Sequence, residues 1–243
     1  MATNRTDRLA VLVDADNAQS TLAELLLAEI SRYGTATVKR AYGDWTTPNL
    51  KGWKEILNRL AIQPVQQFRY TSGKNATDSA LIIDAMDLLH SGNVDGFCLI
   101  SSDSDFTRLA TRIREAGIRV YGFGESKTPE PFVSACDKFV FTEILRSDAS
   151  APPPSVTSSA PSLEEILMPA VVAAAREDGW SPLSTVGSLI AKTHSAFDSR
   201  NYGFAKLGEL VRKHSFIETK DVAAPDGSSS LQVFVRPREK ARR

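Results

Sequence analysis

Through the first 146 residues, short apolar runs alternate with stretches of helical periodicity, and nothing else in the chain limits its fold so tightly. Strand-like stretches, the most apolar at 9–13 and 96–101, occupy 9–13, 36–42, 64–68, 96–101 and 118–123, with a shorter one at 138–141. Helical patterns lie between them, near 18–33, 49–61, 76–91, 104–116 and 130–136. Continuous apolar runs this short fit strands buried on both faces. A helix between two strands is the connection that a parallel pair requires. The expectation is an α/β domain: a parallel sheet with helices on both faces. Ala80-Leu81-Ile82-Ile83-Asp84-Ala85-Met86-Asp87-Leu88-Leu89 is apolar on more than one side, which predicts a well-buried helix. Gly117 reads as the cap between one helix and the next strand.

Composition changes at Ser147. From there to Ser162 the chain passes through Ala151-Pro152-Pro153-Pro154-Ser155 and holds almost nothing able to build a core, as expected of an extended linker over 147–162. Residues 163–236 then form a second unit. Helical patterns run over Leu163–Glu177, Leu183–Thr193 and Phe204–His214, followed by strand-like Phe216–Thr219 and Leu231–Val235. Ala224-Pro225-Asp226-Gly227-Ser228-Ser229 supplies the turn between those strands. Three helices and a β-hairpin are the parts of a small winged helix-turn-helix. Residues 237–243 read as a basic tail.

Several chemistries fall away on composition. Lys+Arg and Asp+Glu each number 29, so net charge names no partner by itself. Every apolar run is far shorter than the roughly 20 residues of a membrane span. The polar start, Met1 to Arg8, has no export pattern, so a cytoplasmic protein without membrane contact is expected. Cys98 and Cys136 match no metal or redox spacing, and His90, His194 and His214 make no zinc pattern.

The acids are the informative residues. The first apolar run ends in Asp14-Ala15-Asp16-Asn17, and the fourth in Ser101-Ser102-Asp103-Ser104-Asp105. Asp78 opens a helix after Gly73-Lys74-Asn75-Ala76-Thr77. In a parallel sheet, sites gather beyond the carboxyl ends of strands. Carboxylates brought together there repel one another unless a hard divalent cation neutralises them, which points to Mg²⁺ or Mn²⁺ and to phosphate chemistry. Plainer roles stand beside this one. Asp16 or Asn17 is expected to cap the helix that follows, one residue of 101–105 to cap the helix near Phe106, and Asp78 suits any first helical turn. Asp84 and Asp87 read as surface or supporting residues.

On these three motifs, residues 1–146 resemble an NYN domain, a branch of the PIN-like nuclease superfamily. Lys39-Arg40-Ala41-Tyr42-Gly43-Asp44-Trp45 is similar to the family's pattern as well. The resemblance implies Mg²⁺- or Mn²⁺-dependent hydrolysis of RNA, with Asp14, Asp78, Asp103 and Asp105 as the catalytic and metal-holding cluster. Asp16, Asn17 and Ser102 would support it. On that reading Lys39, Arg40 and Lys74 are candidates to hold the backbone of single-stranded RNA, with Tyr42 and Trp45 stacking on bases unless the core claims them. Residues 163–236 resemble the LOTUS, or OST-HTH, winged-helix domain through Phe197-Asp198-Ser199-Arg200-Asn201-Tyr202-Gly203-Phe204-Ala205-Lys206-Leu207-Gly208-Glu209-Leu210. That resemblance implies binding to RNA or to a protein partner, with Arg200, Lys206, Arg212 and Lys213 as the exposed contacts. Two other readings remain: an inactive RNA-binding scaffold, and a different metal-dependent phosphohydrolase with Asp14 and Asp16 at its centre.

Overall fold

The computed structural model describes residues 6–68, 76–146, 161–223 and 231–238. The chain forms two compact units, 1–149 and 150–243. The first holds six strands: β1 (Arg8–Asp14), β2 (Thr35–Gly43), β3 (Gln63–Gln66), β4 (Gly96–Ile100), β5 (Arg119–Gly124) and β6 (Lys138–Phe141). Five helices connect them: α1 (Ala23–Ile30), α2 (Lys51–Leu57), α3 (Ala76–Ser91), α4 (Thr107–Glu115) and α5 (Glu130–Ala135). The strands are all parallel, in the order β3-β2-β1-β4-β5-β6.

This order positions the site. After β1 the chain builds outward through β2 and β3, then returns to lay β4 on the other flank of β1. Connections leaving β1 and β4 therefore diverge, opening a crevice beyond their carboxyl ends. Strand alternation buries both faces of β1. Leu9, Val11 and Val13 join the core with Leu26 and Ile30 of α1 and Trp53 and Leu57 of α2. Ala10 and Leu12, fully buried, face the other way, where α3 packs on β1 and β2 and α4 on β5. Gly117, at φ 77°, makes the left-handed turn expected between α4 and β5.

Two local expectations are corrected. Neither Asp16 nor Asn17 caps the next helix; Gln19 precedes the short 3-10 turn Ser20–Leu22, with no side-chain cap. The backbone carbonyl of Asp14 instead accepts from the amides of Asn17 and Ala18, closing a tight turn. And α3 is not buried all round. Leu81 and Ala85 face the core, while Ile83 is 62% exposed, because the sheet covers one side of α3 only.

The second unit contains α6 (Leu163–Ala173), β7 (Ser181–Pro182), α7 (Leu183–Thr193), α8 (Leu207–Lys213), β8 (Ile217–Ala223) and β9 (Leu231–Pro237). Ser162 starts α6 with a reciprocal capping box to Glu165. That helix ends four residues earlier than its pattern, which runs to Glu177. The chain has to turn there, through Gly179 at φ 75°, to place Ser181 and Pro182 against Val235 and Phe234 of β9. Two residues carry no periodic signal, so sequence alone gave no sign of β7. The sheet order is β7-β9-β8, and Leu167, Val171, Val186, Ile190, Val211 and Val235 fill the core beneath it. Residues 147–160 of the linker, the turn 224–229 and residues 239–243 of the tail lie outside the described residues.

Candidate metal centre

Asp14 is the last residue of β1, fully buried, and paired in register with Tyr42 of β2. On its other flank Val13 pairs with Ile100, so the residue after β4, Ser101, falls beside Asp14. Ser101 Oγ donates to Asp14 Oδ2 at 2.7 Å, and Asn17 Nδ2 donates to the same oxygen at 2.6 Å. Oδ1 is buried and, among the described residues, has no hydrogen-bond partner. Burial pushes the Asp14 carboxyl above its ordinary range; the Asn17 and Ser101 hydrogen bonds oppose that shift, and the charge of Asp16 adds to it.

Ser101 Oγ also accepts from the Asp103 amide at 3.1 Å, so one hydroxyl links both acidic strand ends. Asp103 then caps the 3-10 turn Ser104–Phe106, its Oδ1 accepting from the Asp105 amide at 2.9 Å. The capping role and the cluster role fall on one residue. From the neighbouring α3, Asp78 completes the group: single carboxylate oxygens of Asp78, Asp103 and Asp105 lie within 4.8 Å of one another. Asp78 is pushed up to about 6, first by burial and then by the charges of Asp14, Asp103, Asp105 and Asp16. Five carboxylates therefore act on one another at the mouth of the crevice. Thr77 Oγ1 donates to Asp16 Oδ2 at 3.1 Å, tying the start of α3 to the turn after β1.

The supporting residues divide. Asn17 touches Asp14 directly and Asp16 touches α3. Ser102 instead turns away, its Oγ accepting from the Glu125 amide at 2.8 Å and fixing the loop after β5. Ser101 and Thr77 are the residues that the pattern of acids missed. Ser101 was detectable in principle, since it directly follows the strand that pairs with β1; Thr77 was not, because its partner lies 61 residues away.

Of the RNA contacts expected in the first unit, the core claims Tyr42, while Lys39, Arg40 and Trp45 are half-buried and bonded within the domain. Tyr42 is fully buried, and its hydroxyl donates to Asp84 Oδ2 at 2.7 Å, so its ring has no face left for a base. Arg40 bonds the same Asp84 oxygen at 2.8 Å. Asp84 is thus the clamp between α3 and β2, a supporting role that places Asp78. Lys39 Nζ donates to the Leu60 carbonyl at 2.6 Å. Trp45 packs against the core and donates its indole N–H to the Val65 carbonyl at 2.9 Å. Lys74 lies outside the described residues.

In the second unit Arg200 is paired with Asp198 at 2.8 Å and Arg212 with Asp221. Lys206 and Lys213 are exposed at the two ends of α8. A different group of cations gathers on aromatic rings: Lys220 Nζ stands 4.3 Å and the Arg236 guanidinium 4.5 Å from the Trp180 ring centre.

Comparison with known proteins adds the following. The NYN domain family model matches residues 8–145, more than half the chain, and the OST-HTH/LOTUS domain model matches 141–227. Among curated proteins, none matches. Three solved structures are similar in part. A crystal structure of a protein of unknown function from Vibrio parahaemolyticus is 20% identical, covers 57% of this chain and 94% of that one, and has a TM-score of 0.49. A solution structure of an uncharacterised protein from Nitrosomonas europaea is 24% identical, over 39% of this chain and 94% of that one, with a TM-score of 0.31. A solution structure of a protein fragment from Chromobacterium violaceum is 31% identical, over 35% of this chain and 90% of that one, with a TM-score of 0.29.

Proposed function

Because this chain belongs to the NYN domain family and carries an OST-HTH/LOTUS domain behind it, we propose that it is a ribonuclease that hydrolyses RNA phosphodiester bonds at its aspartate cluster. The observation that carries this reading is the meeting of Asp78, Asp103 and Asp105, with the charge of the buried Asp14 acting on Asp78. A structural remnant gains nothing from carboxylates that raise one another's pKa, whereas a cation-binding site needs them.

The donor set fits Mg²⁺ or Mn²⁺. It is all oxygen, with no cysteine or histidine, and such ions take few carboxylates and keep several waters. Asp78, Asp103 and Asp105 would hold the ion, with the buried Asp14 adding negative charge behind them. When bound, the ion would neutralise the acids and polarise the phosphodiester. The chain's own residues do the rest. Ser101 and Asn17 occupy Asp14 Oδ2 and so fix which oxygen remains open. Asp103 keeps its orientation through the Asp105 amide. Asp84, with Arg40 and Tyr42, holds α3 so that Asp78 faces the cluster.

We divide the chain accordingly: residues 1–146 as the nuclease, 147–162 as a tether, 163–236 as the module that recruits RNA, and 237–243 as a basic tail. A tethered binding module raises the local concentration of its target near the site. The cytoplasm is the compartment we assign. The two buried, unpaired cysteines suit a reducing environment, and among the described residues no helix is long and apolar enough to cross a membrane.

The test is cleavage of labelled single-stranded RNA by the full chain in Mg²⁺ or Mn²⁺ against EDTA, beside a phosphomonoester. Metal-dependent RNA cleavage without phosphomonoesterase activity is expected. Phosphomonoester hydrolysis alone would favour the other phosphohydrolase, and neither activity in well-folded protein would favour the scaffold.

A further inference from the structure

The helices beside the acids also present side chains that the cluster does not use. On α3, Asp78, Ile82 and Met86 are spaced i, i+4, i+8 and share one side. The opposite side carries Asp84, tied to Arg40 of β2. Since β2 and β4 flank β1 on opposite sides, the Asp78 side of α3 is turned toward β4 and the neighbouring α4. Ile82 and Met86 are half-buried there, and α3 meets the 3-10 turn Ser104–Phe106 while packing little along α4 itself.

The facing helix is amphipathic, with Leu109, Ala110 and Ile113 buried. Its arginines are treated unequally. Arg114 is bound toward β6, to Asp137 Oδ1 at 3.0 Å and the Ala135 carbonyl at 3.3 Å. Arg108 and Arg112 are exposed, and among the described residues neither has an ion pair. They stand three and seven residues beyond Asp105, so the helical repeat keeps all three close to one line that begins at the acidic cluster. The backbone positions of the two arginines are separated by about 6 Å along the axis, close to the spacing of successive phosphates in an extended strand. An apolar wall on α3 and a cationic wall on α4 complement the bases and the backbone of an unpaired strand.

We propose that single-stranded RNA runs from the acidic cluster between α3 and α4, with two consecutive phosphates on Arg108 and Arg112 and bases against Ile82 and Met86. This rests on the nuclease reading for the direction of the strand, not for the binding itself. Both arginines are exposed, so their replacement leaves the fold intact.

The measurement is the affinity of full-length protein for labelled oligouridylate across a salt series, in the Asp103→Asn background so that RNA survives. Adding Arg108→Gln and Arg112→Gln together should weaken binding about tenfold at low salt and reduce the slope of log K against log salt by about 1.4, the value for two phosphates of a single strand. Arg108→Lys with Arg112→Lys should keep the slope. An unchanged slope in the glutamine variant would overturn the proposal and leave those arginines to a protein partner; failure of both proteins to bind would overturn it equally. The two readings fail separately. Cleavage by the unaltered chain together with an arginine-independent slope removes the path alone, whereas an arginine-dependent slope without any cleavage removes the nuclease alone.

Discussion

In the C-terminal unit the charged contacts join opposite signs: Arg200 with Asp198, Arg236 with Glu218, Arg212 with Asp221, Lys220 with Asp178. Where β1 and β4 end, like charges meet instead, and Asp78 is pushed upward by burial first and then by four neighbouring acids. Both regions lie on small, well-packed scaffolds, so packing does not account for the contrast. Exposed pairs contribute about 0–1 kcal/mol each and serve the fold. The acids oppose the fold until a cation joins them, and that imbalance marks the part of the molecule kept for chemistry.

The contrast breaks first at Asp14. Asp14→Asn keeps an acceptor for Ser101 and Asn17 but removes a buried charge. RNA cleavage should fall by about 10³-fold or more, while thermal denaturation without metal shows a melting temperature unchanged or slightly raised. Combining it with Asp103→Asn should cost little more, because both disable one unit. A large loss of stability with activity preserved would make Asp14 an ordinary structural acid.

Metal binding should come next in size. With Mn²⁺ at about a hundred times its dissociation constant, unfolding should be stabilised by about 2.7 kcal/mol, and Asp78→Asn should remove most of that gain. The C-terminal pairs offer no such site, so Arg200→Ala should leave the Mn²⁺ effect untouched.

The pH dependence separates the regions by sign. Asp78 has its pKa raised from 3.8 to about 6, so between those values the folded chain holds a proton that the unfolded chain has released. Without metal, the contribution of Asp78 to stability is therefore greatest near pH 4 and is lost as pH rises through about 6, with the buried Asp14 acting in the same direction. Glu165, lowered chiefly by the Ser162 backbone amide, runs the opposite way and gains stability above its ordinary pKa. Denaturant midpoints measured from pH 4 to 7 with Asp78→Asn as control check this; a slope that survives the substitution assigns it to other groups.

Smaller effects sharpen the account. Tyr42→Phe deletes the hydroxyl bond to Asp84 and should cost about 1 kcal/mol, together with a weaker response to Mn²⁺ because α3 is held less firmly. Arg212→Ala, which breaks the exposed pair with Asp221, should stay within about 0.5 kcal/mol.

Much of this was legible from the sequence. Strand-like stretches and helical periods found the six strands and five helices of the first unit, most clearly at β1 and β4, which are buried on both faces. The acidic motifs marked where β1 and β4 end. The partners were harder to see. Arg40 reads as a candidate for RNA, and Tyr42 as stacking or core, because Asp84 lies more than forty residues away and only the fold brings them together. Ile83 misled in the other direction, since an apolar pattern does not reveal how much of a helix the sheet will cover. Arg108 and Arg112 gave no motif at all; their interest comes from their line with the acidic cluster.

The most direct measurement is a crystal soaked in Mn²⁺ and examined for anomalous scattering. The account predicts one peak or two bound by Asp78, Asp103 and Asp105, with Asp14 turned toward the ion. A well-ordered crystal at millimolar Mn²⁺ with no peak among these four carboxylates would contradict it.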